Sequence, residues 1–145
     1  GIDYEITGRY RSPIGQLTSQ LSMTRMVREV SQLERDGPYY SAIGNFAELG
    51  TVTFRNQGRW TNTLKTGKWT NTLSLNFKSG YRDQETTVDV LDDAGNVTGQ
   101  EDIRKEVGFY STLDWQAVWN PNKLWSATVG VLNLTNKAPP FVPST

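Results

Sequence analysis

The sequence contains no cysteine and no histidine. Disulfide frameworks, Cys/His zinc sites, Ser–His–Asp nucleophiles and imidazole acid–base chemistry are therefore excluded. Long hydrophobic runs are missing too, and none approaches the ~18 residues of a membrane-spanning helix. No sign of charge prevails: 15 basic residues stand against 15 acidic ones. A balanced chain has no global field to draw it towards nucleic acid or anionic lipid. Nothing at the start reads as a signal peptide, because GIDYEITGRY alternates from its second residue. The expectation is either a cytoplasmic protein or a piece of something longer. A length of 145 residues suits one domain.

What is present is aromatic and β-like. Five Trp, six Tyr and five Phe supply much of a modest apolar content, and helical periodicity is scarce, so the chain is expected to be nearly all β. The stretch WTNTLKTGKWTNTL, 60–73, writes five letters twice around a four-residue break. The period is too short for a solenoid unit and reads as one antiparallel hairpin. A turn at Thr66-Gly67, with Gly supplying a positive φ, sets Lys65 opposite Lys68, Leu64 opposite Trp69 and Trp60 opposite Leu73. One face then carries Val52, Phe54, Trp60, Leu64, Trp69, Leu73, Leu75 and Phe77 without a charge. The other carries Arg55, Arg59, Thr61, Thr63, Thr70, Thr72, Ser74, Asn76 and Lys78. Some fourteen alternating residues per arm exceed the usual 5–6 of soluble strands and satisfy the ~9–11 of a membrane strand. A soluble sandwich or lipocalin-like barrel remains the alternative.

Six strand-like segments are expected. They are Ile2–Arg11, roughly Gln16–Val30, the two arms of the hairpin, a segment running to Trp119, and one carrying Trp125, Ala127, Val129 and Val131. Their connections alternate in length: short at 12–15, 66–67 and 120–123, long around 31–47 and 83–104. Transmembrane β-barrels have this habit, with tight periplasmic turns and longer external loops. Trp69, Trp119 and Trp125 all lie beside short turns. Their common height suits an aromatic girdle, where the ring is apolar and the N–H stays wet. Arg55, Arg59, Lys78 and Asp114 fall on the opposite, lumen-facing side and are the candidate ligand-binding residues.

The acidic stretch DDAGNVTGQED, 92–102, does not match the oxygen spacing of an EF-hand loop and reads as a solvated loop. No metal, cofactor or catalytic residue is expected. Basic and aromatic side chains fall on opposite strand faces, which disfavours a nucleic-acid stacking platform.

LWSATVGVLNLTNKAPPF, 124–141, resembles the penultimate-strand signature of TonB-dependent outer-membrane receptors through Gly130, Val131, Leu132, Asn133, Leu134, Pro139, Pro140 and Phe141. Upstream, Tyr110, Thr112, Asp114 and Gln116 resemble the family's Tyr-x-Thr-x-Asp-x-Gln strand. GKWTNTLSLNFKSGYRD resembles its "G-x-W … Y-x-S-G-Y" strand, and GIDYEI the opening of an earlier one. The likeness runs over most of the 145 residues in family order. It implies that residues 1–145 are about six strands of a C-terminal barrel of about 22. The family's final strand, plug domain and TonB-binding box have no counterpart here. The implied setting is the outer membrane of a Gram-negative bacterium, with membrane lipid as partner and with plug and TonB reached through other parts of the chain. The implied activity is energised uptake of a scarce ligand such as a siderophore, cobalamin or a carbohydrate, and not enzymatic catalysis. A passive porin-like barrel and a soluble β-module with the Trp/Leu face as its core are the other readings. A piece with two open sheet edges is expected to self-associate in water.

Overall fold

The structure, a computed structural model, describes residues 1–32, 34–46 and 51–140. It is all-β among these residues, with ten strands: β1 Ile2–Ser12, β2 Gly15–Arg25, β3 Ser31–Gln32, β4 Tyr39–Tyr40, β5 Asn56–Thr66, β6 Trp69–Lys78, β7 Tyr81–Leu91, β8 Val97–Val107, β9 Tyr110–Trp119 and β10 Ala127–Val131. Six form one antiparallel sheet in the order β1-β2-β5-β6-β9-β10. The pairs β7–β8 and β3–β4 are separate two-stranded sheets. The main sheet is open, and β1 and β10 are its edges.

The 60–73 repeat is a hairpin, but its register differs from expectation by two residues. Thr66 pairs with Trp69, Leu64 with Asn71 and Trp60 with Leu75. Gly67 takes a φ of 57° as the first of the two turn residues, Gly67 and Lys68, the position where a II′ hairpin turn places glycine. Thr66 therefore belongs to the strand and Lys68 to the turn. Side chains alternate with period two, so a slip of two leaves each one on its expected face.

The ladder is shorter than the alternation suggested. β5 starts at Asn56, and Arg55 sits at a bend where its carbonyl accepts from the Met26 amide at 2.9 Å. The bend brings the Phe54 ring edge-on to Tyr81, 6.0 Å between centroids, and under the Lys78 ammonium at 4.9 Å. Val52 and Thr53 turn away to bridge Phe46 and Ile43. Likewise β2 ends at Arg25 rather than continuing to Val30.

The expected loop at 83–104 is in fact the β7–β8 hairpin, 11 residues per arm. Thr86, Val88, Val90, Val97 and Ile103 supply β-branched character. Eight carboxylates against three cations between Tyr81 and Val107 wet both of its faces, so no period-two contrast marks it in the sequence. The 31–47 connection carries β3, β4 and a segment whose Phe46 amide donates to the Arg82 carbonyl and whose Gly44 carbonyl accepts from the Arg82 amide. Residues 33 and 47 of that connection, and Phe141 of the Pro-Pro-Phe motif, lie outside the described residues.

Among the described residues no second layer covers the sheet. No large side chain among them is fully buried, and their buried hydrophobics are Ala42, Ile43, Val107 and Ala117. The first three sit where the 42–46 segment meets the base of β7–β8, beyond the ends of the main strands. The accessible surface is 11014 Å² for 16.3 kDa, against roughly 7,500 Å² for a compact monomer of that mass.

Candidate functional site

The strand register sorts the six-stranded sheet into two faces. On one, consecutive rows read Tyr10, Leu17, Leu64, Asn71, Ala117, Val129; then Gly8, Ser19, Asn62, Leu73, Trp115, Val131; then Ile6, Leu21, Trp60, Leu75, Leu113. The only charge on this face is Arg25, in the terminal row with Ile2 and Asn56 at the long-connection end. Its scattered polar groups are handled locally. The Trp60 indole N–H donates to Ser19 Oγ at 2.8 Å, giving the indole donor and the hydroxyl to each other. Gly58 leaves room for the Phe77 ring: a Cβ there would lie 2.7 Å from Phe77 Cζ and 2.5 Å from the Ser22 carbonyl. Phe77 in turn stacks on Phe109, 6.3 Å between centroids.

At the short-turn end of this face Trp69 and Trp119 are direct cross-strand partners and stack at 5.9 Å and 24°. Both remain about half exposed. Trp125 is not on the β10 ladder as expected. It lies in the 120–126 turn, where Asn122 Oδ1 accepts from the amides of Leu124 and Trp125 at 2.9 and 3.0 Å. That asparagine turn delays the strand to Ala127.

The opposite face is polar and curls inward. A groove of about 820 Å³ is lined by Asp3 and Glu5 of β1, Ser22 and Thr24 of β2, Arg59 of β5, Asn76 and Lys78 of β6, and Tyr110 and Thr112 of β9, together with parts of Tyr4, Met23 and Phe77. Side chains from β1 and β9 share one groove only because the sheet bends towards this side. Nearer the turn end of the same face, the Thr61–Ser74 and Thr63–Thr72 hydroxyls are in contact across β5 and β6. Asp3 accepts from Thr24 and Glu5 from Gln20, each at 2.7 Å. A second groove of about 290 Å³ shares Arg59 and is lined by Ser74, Asp114 and Gly130. The surface offers donors and acceptors to a polar solute.

Of the four expected lumen residues, Arg59, Lys78 and Asp114 lie on this polar face. Arg55 does not share it: the bend carries it to a separate cavity of about 750 Å³ at the base of β7–β8, with Gly44, Ser79 and Arg82. Asp114 lies opposite Ser74, and Gly130 pairs with Gln116 rather than with Asp114. The ion pairs among the described residues, Arg82–Glu106 and Arg104–Glu85, are both in the β7–β8 hairpin.

Asp114 has a role that the sequence did not suggest. Its carboxylate accepts from Asn76 Nδ2 at 2.7 Å and from the Asn133 amide at 2.9 Å. Asn133 has a φ of 50°, and its side chain brackets Lys137, Oδ1 accepting from the amide and Nδ2 donating to the carbonyl, both at 3.0 Å. Tyr110 Oη donates to the same Lys137 carbonyl at 3.1 Å. The Gly-Val-Leu-Asn-Leu motif therefore ends its strand at Val131 and turns along the edge of β9. Two asparagines three apart before a lysine, at the end of an apolar strand, are the signal for that turn.

The acidic 92–102 stretch divides between a turn and a strand. Asp92 Oδ1 accepts from the amides of Ala94 and Asn96. These bonds, the Asn96 amide first, hold its carboxyl below the ordinary 3.8. Asp102 accepts from Thr87 on the neighbouring strand at 2.6 Å. Among the described residues no group of three or more acidic side chains is arranged to hold a metal ion. Desolvation, with Asp83 nearby, pushes the Tyr81 phenol above its ordinary value.

The fold and faces define an open, amphipathic antiparallel sheet. No family model, curated protein or solved structure matches the chain.

Proposed function

We propose that this chain is a stretch of the wall of a transmembrane β-barrel in the outer membrane of a Gram-negative bacterium, in a receptor of the TonB-dependent kind. The observation that carries the reading is the apolar face: six strands wide, uncovered, and free of charge from the turn end to its terminal row. Five of the six strands have 10 or 11 residues, which at ~3.4 Å per residue and ~40° tilt rise about 27 Å, close to the ~25 Å apolar band of such barrels; the edge strand β10 has five residues and covers the turn-end half of that height. Short turns at one end and a long hairpin at the other fit the same architecture. Unpaired backbone at β1 and β10 is not tolerated in lipid, so the wall continues through further strands on both sides. The polar groove would face the lumen. There Arg59 and Lys78 would meet a plug or an incoming siderophore, cobalamin or carbohydrate, with TonB supplying the energy. The motifs described above for the receptor family favour this over a passive pore.

The test is single-tryptophan fluorescence with lipid-confined quenchers on the full-length protein in bilayers. Trp69, Trp119 and Trp125 should quench at one shallow depth. Trp115, four residues along β9 from Trp119, should quench about 10 Å deeper. If all four are shielded from lipid quenchers, the sheet is instead half of a soluble module whose core is the Trp/Leu face.

A further inference from the structure

Charge in the sheet is sorted along the strands. The register sets Arg9, Thr18, Thr63, Thr72, Gln116 and Gly130 in one row. From that row to the tips of the three short turns, the charged side chains are Arg9, Arg11, Lys65, Lys68 and Lys123, with no carboxylate among them. At the other end of the strands the β7–β8 hairpin is strongly acidic, as described above. The turn tips also expose large apolar groups: Ile14 is 69%, Leu124 90% and Trp125 71% accessible. Cations interleaved with open aliphatic and indole groups at one height make an interfacial anchor. The Asn120 amide donates to the Lys68 carbonyl at 2.9 Å. This bond ties the 67–68 turn to the 120–126 turn, so Lys68 and Lys123 belong to one rim beside the stacked Trp69–Trp119 pair.

We propose that this rim binds the headgroups of anionic phospholipids. Lys68 and Lys123, in the turns themselves, make the phosphate contacts. Arg11 and Lys65, on the polar face next to their turns, strengthen the local field. The inference rests on the barrel-wall reading and adds a lipid class and a sense of approach to it. A bilayer fits better than a nucleic acid because Ile14, Leu124 and Trp125, in turns just beyond the Trp69–Trp119 row, suit the mixed headgroup region where the ammonium groups meet phosphate. The acidic hairpin is repelled by an anionic surface, so the molecule meets the membrane turn end first.

The experiment refolds the full-length protein from denaturant into vesicles at low salt. One vesicle is phosphatidylcholine alone and the other also contains phosphatidylglycerol. Vesicle association and tryptophan emission are read together. Association should be stronger on the anionic vesicles, and the difference should collapse at high salt. A lysine near an anionic surface is worth about fivefold, so Lys68→Gln with Lys123→Gln should lose about 25-fold on anionic vesicles and little on neutral ones. Arg104→Gln with Lys105→Gln, in the hairpin, should leave the selectivity intact. Equal association with both vesicles, with blue-shifted emission in each, overturns this inference and leaves the wall reading standing. A double lysine variant that keeps full selectivity also overturns it. Failure to enter either vesicle overturns the wall reading and the inference together.

Discussion

Arginine in place of Leu73 probes the apolar face at its most sensitive point. Leu73 lies four residues from Trp69 on β6, with Asn62 and Trp115 as cross-strand neighbours. In the proposed barrel wall, at ~3.4 Å per residue and ~40° tilt, it would sit about 10 Å from the tryptophan level, near the middle of a band ~25 Å tall. A guanidinium facing lipid at that depth costs about 2–4 kcal/mol, which is about 30- to 900-fold in the folding equilibrium. Two partner substitutions give the number its meaning. Thr66→Arg is on the same face but level with Trp69 and Trp119, where the cost falls to about 0–1 kcal/mol. Gln116→Arg is at nearly the same depth as Leu73 but on the polar face and exposed, and should stay within about 0.5 kcal/mol of the parent. The assay is equilibrium refolding into phosphatidylcholine vesicles over a denaturant series, followed by tryptophan emission. A dry sandwich core would also reject Leu73→Arg, but it has no depth gradient. Equal costs at Leu73 and Thr66, or a Leu73 cost within error of Gln116, would refute the reasoning.

Four further outcomes follow from the same geometry. Gly58→Ala drives a Cβ into the Ser22 carbonyl and the Phe77 ring and should cost about 1–3 kcal/mol, seen as a lower denaturant midpoint in vesicles. Asp114→Ala strips the acceptor from the Asn133 amide and the Asn76 side chain. Amide exchange at Asn133 and Leu134 should quicken by what an unpaired half-buried donor costs, about 1–3 kcal/mol, with Ala117 unchanged. The Asp92 carboxyl is depressed below 3.8 in the folded hairpin. Its contribution to order at the tip is therefore present above that value and lost as pH falls through the lower folded one. The Asn96 amide shift should report a transition below about pH 3.8, absent in Asp92→Ala. In water without lipid, the open edges at β1 and β10 should produce a β-rich self-associated species. A clean monomer by light scattering would contradict this.

Most of the sheet was legible in the sequence because its two faces differ so sharply. Alternation such as Trp60, Asn62, Leu64 against Thr61, Thr63, Lys65 survives a two-residue error in register, so the faces were correct while the partners were not. The β7–β8 hairpin was hidden for the opposite reason: with Glu85, Asp89, Glu101 and Asp102 wet on both sides, its pattern has no contrast to read. Arg55 was misplaced because alternation cannot report where a chain bends, and the bend depends on Phe54 finding Tyr81 and Lys78, which are distant in sequence. The structural role of Asp114 was not legible because one of its partners, the Asn133 amide, is a backbone group. The neutral total charge concealed the basic turn rim, since a sum over residues discards their height along the strands.

The β7–β8 hairpin also changes the statistics of assembly. The six-stranded sheet is made of three local hairpins, β1–β2, β5–β6 and β9–β10, that must be stitched by two distant pairings. Joining β2 to β5 means closing the connection 26–55, and joining β6 to β9 the connection 79–109. The second is much the easier closure. Once Tyr81 pairs with Val107, only Ser79, Gly80, Gly108 and Phe109 separate Lys78 from Tyr110, its partner in the sheet. Shortening an open loop of about 31 residues to about four removes about 1.8 kcal/mol of closure entropy from that step. The projecting hairpin is thus a splint: by zipping on itself it holds β6 and β9 side by side before they pair.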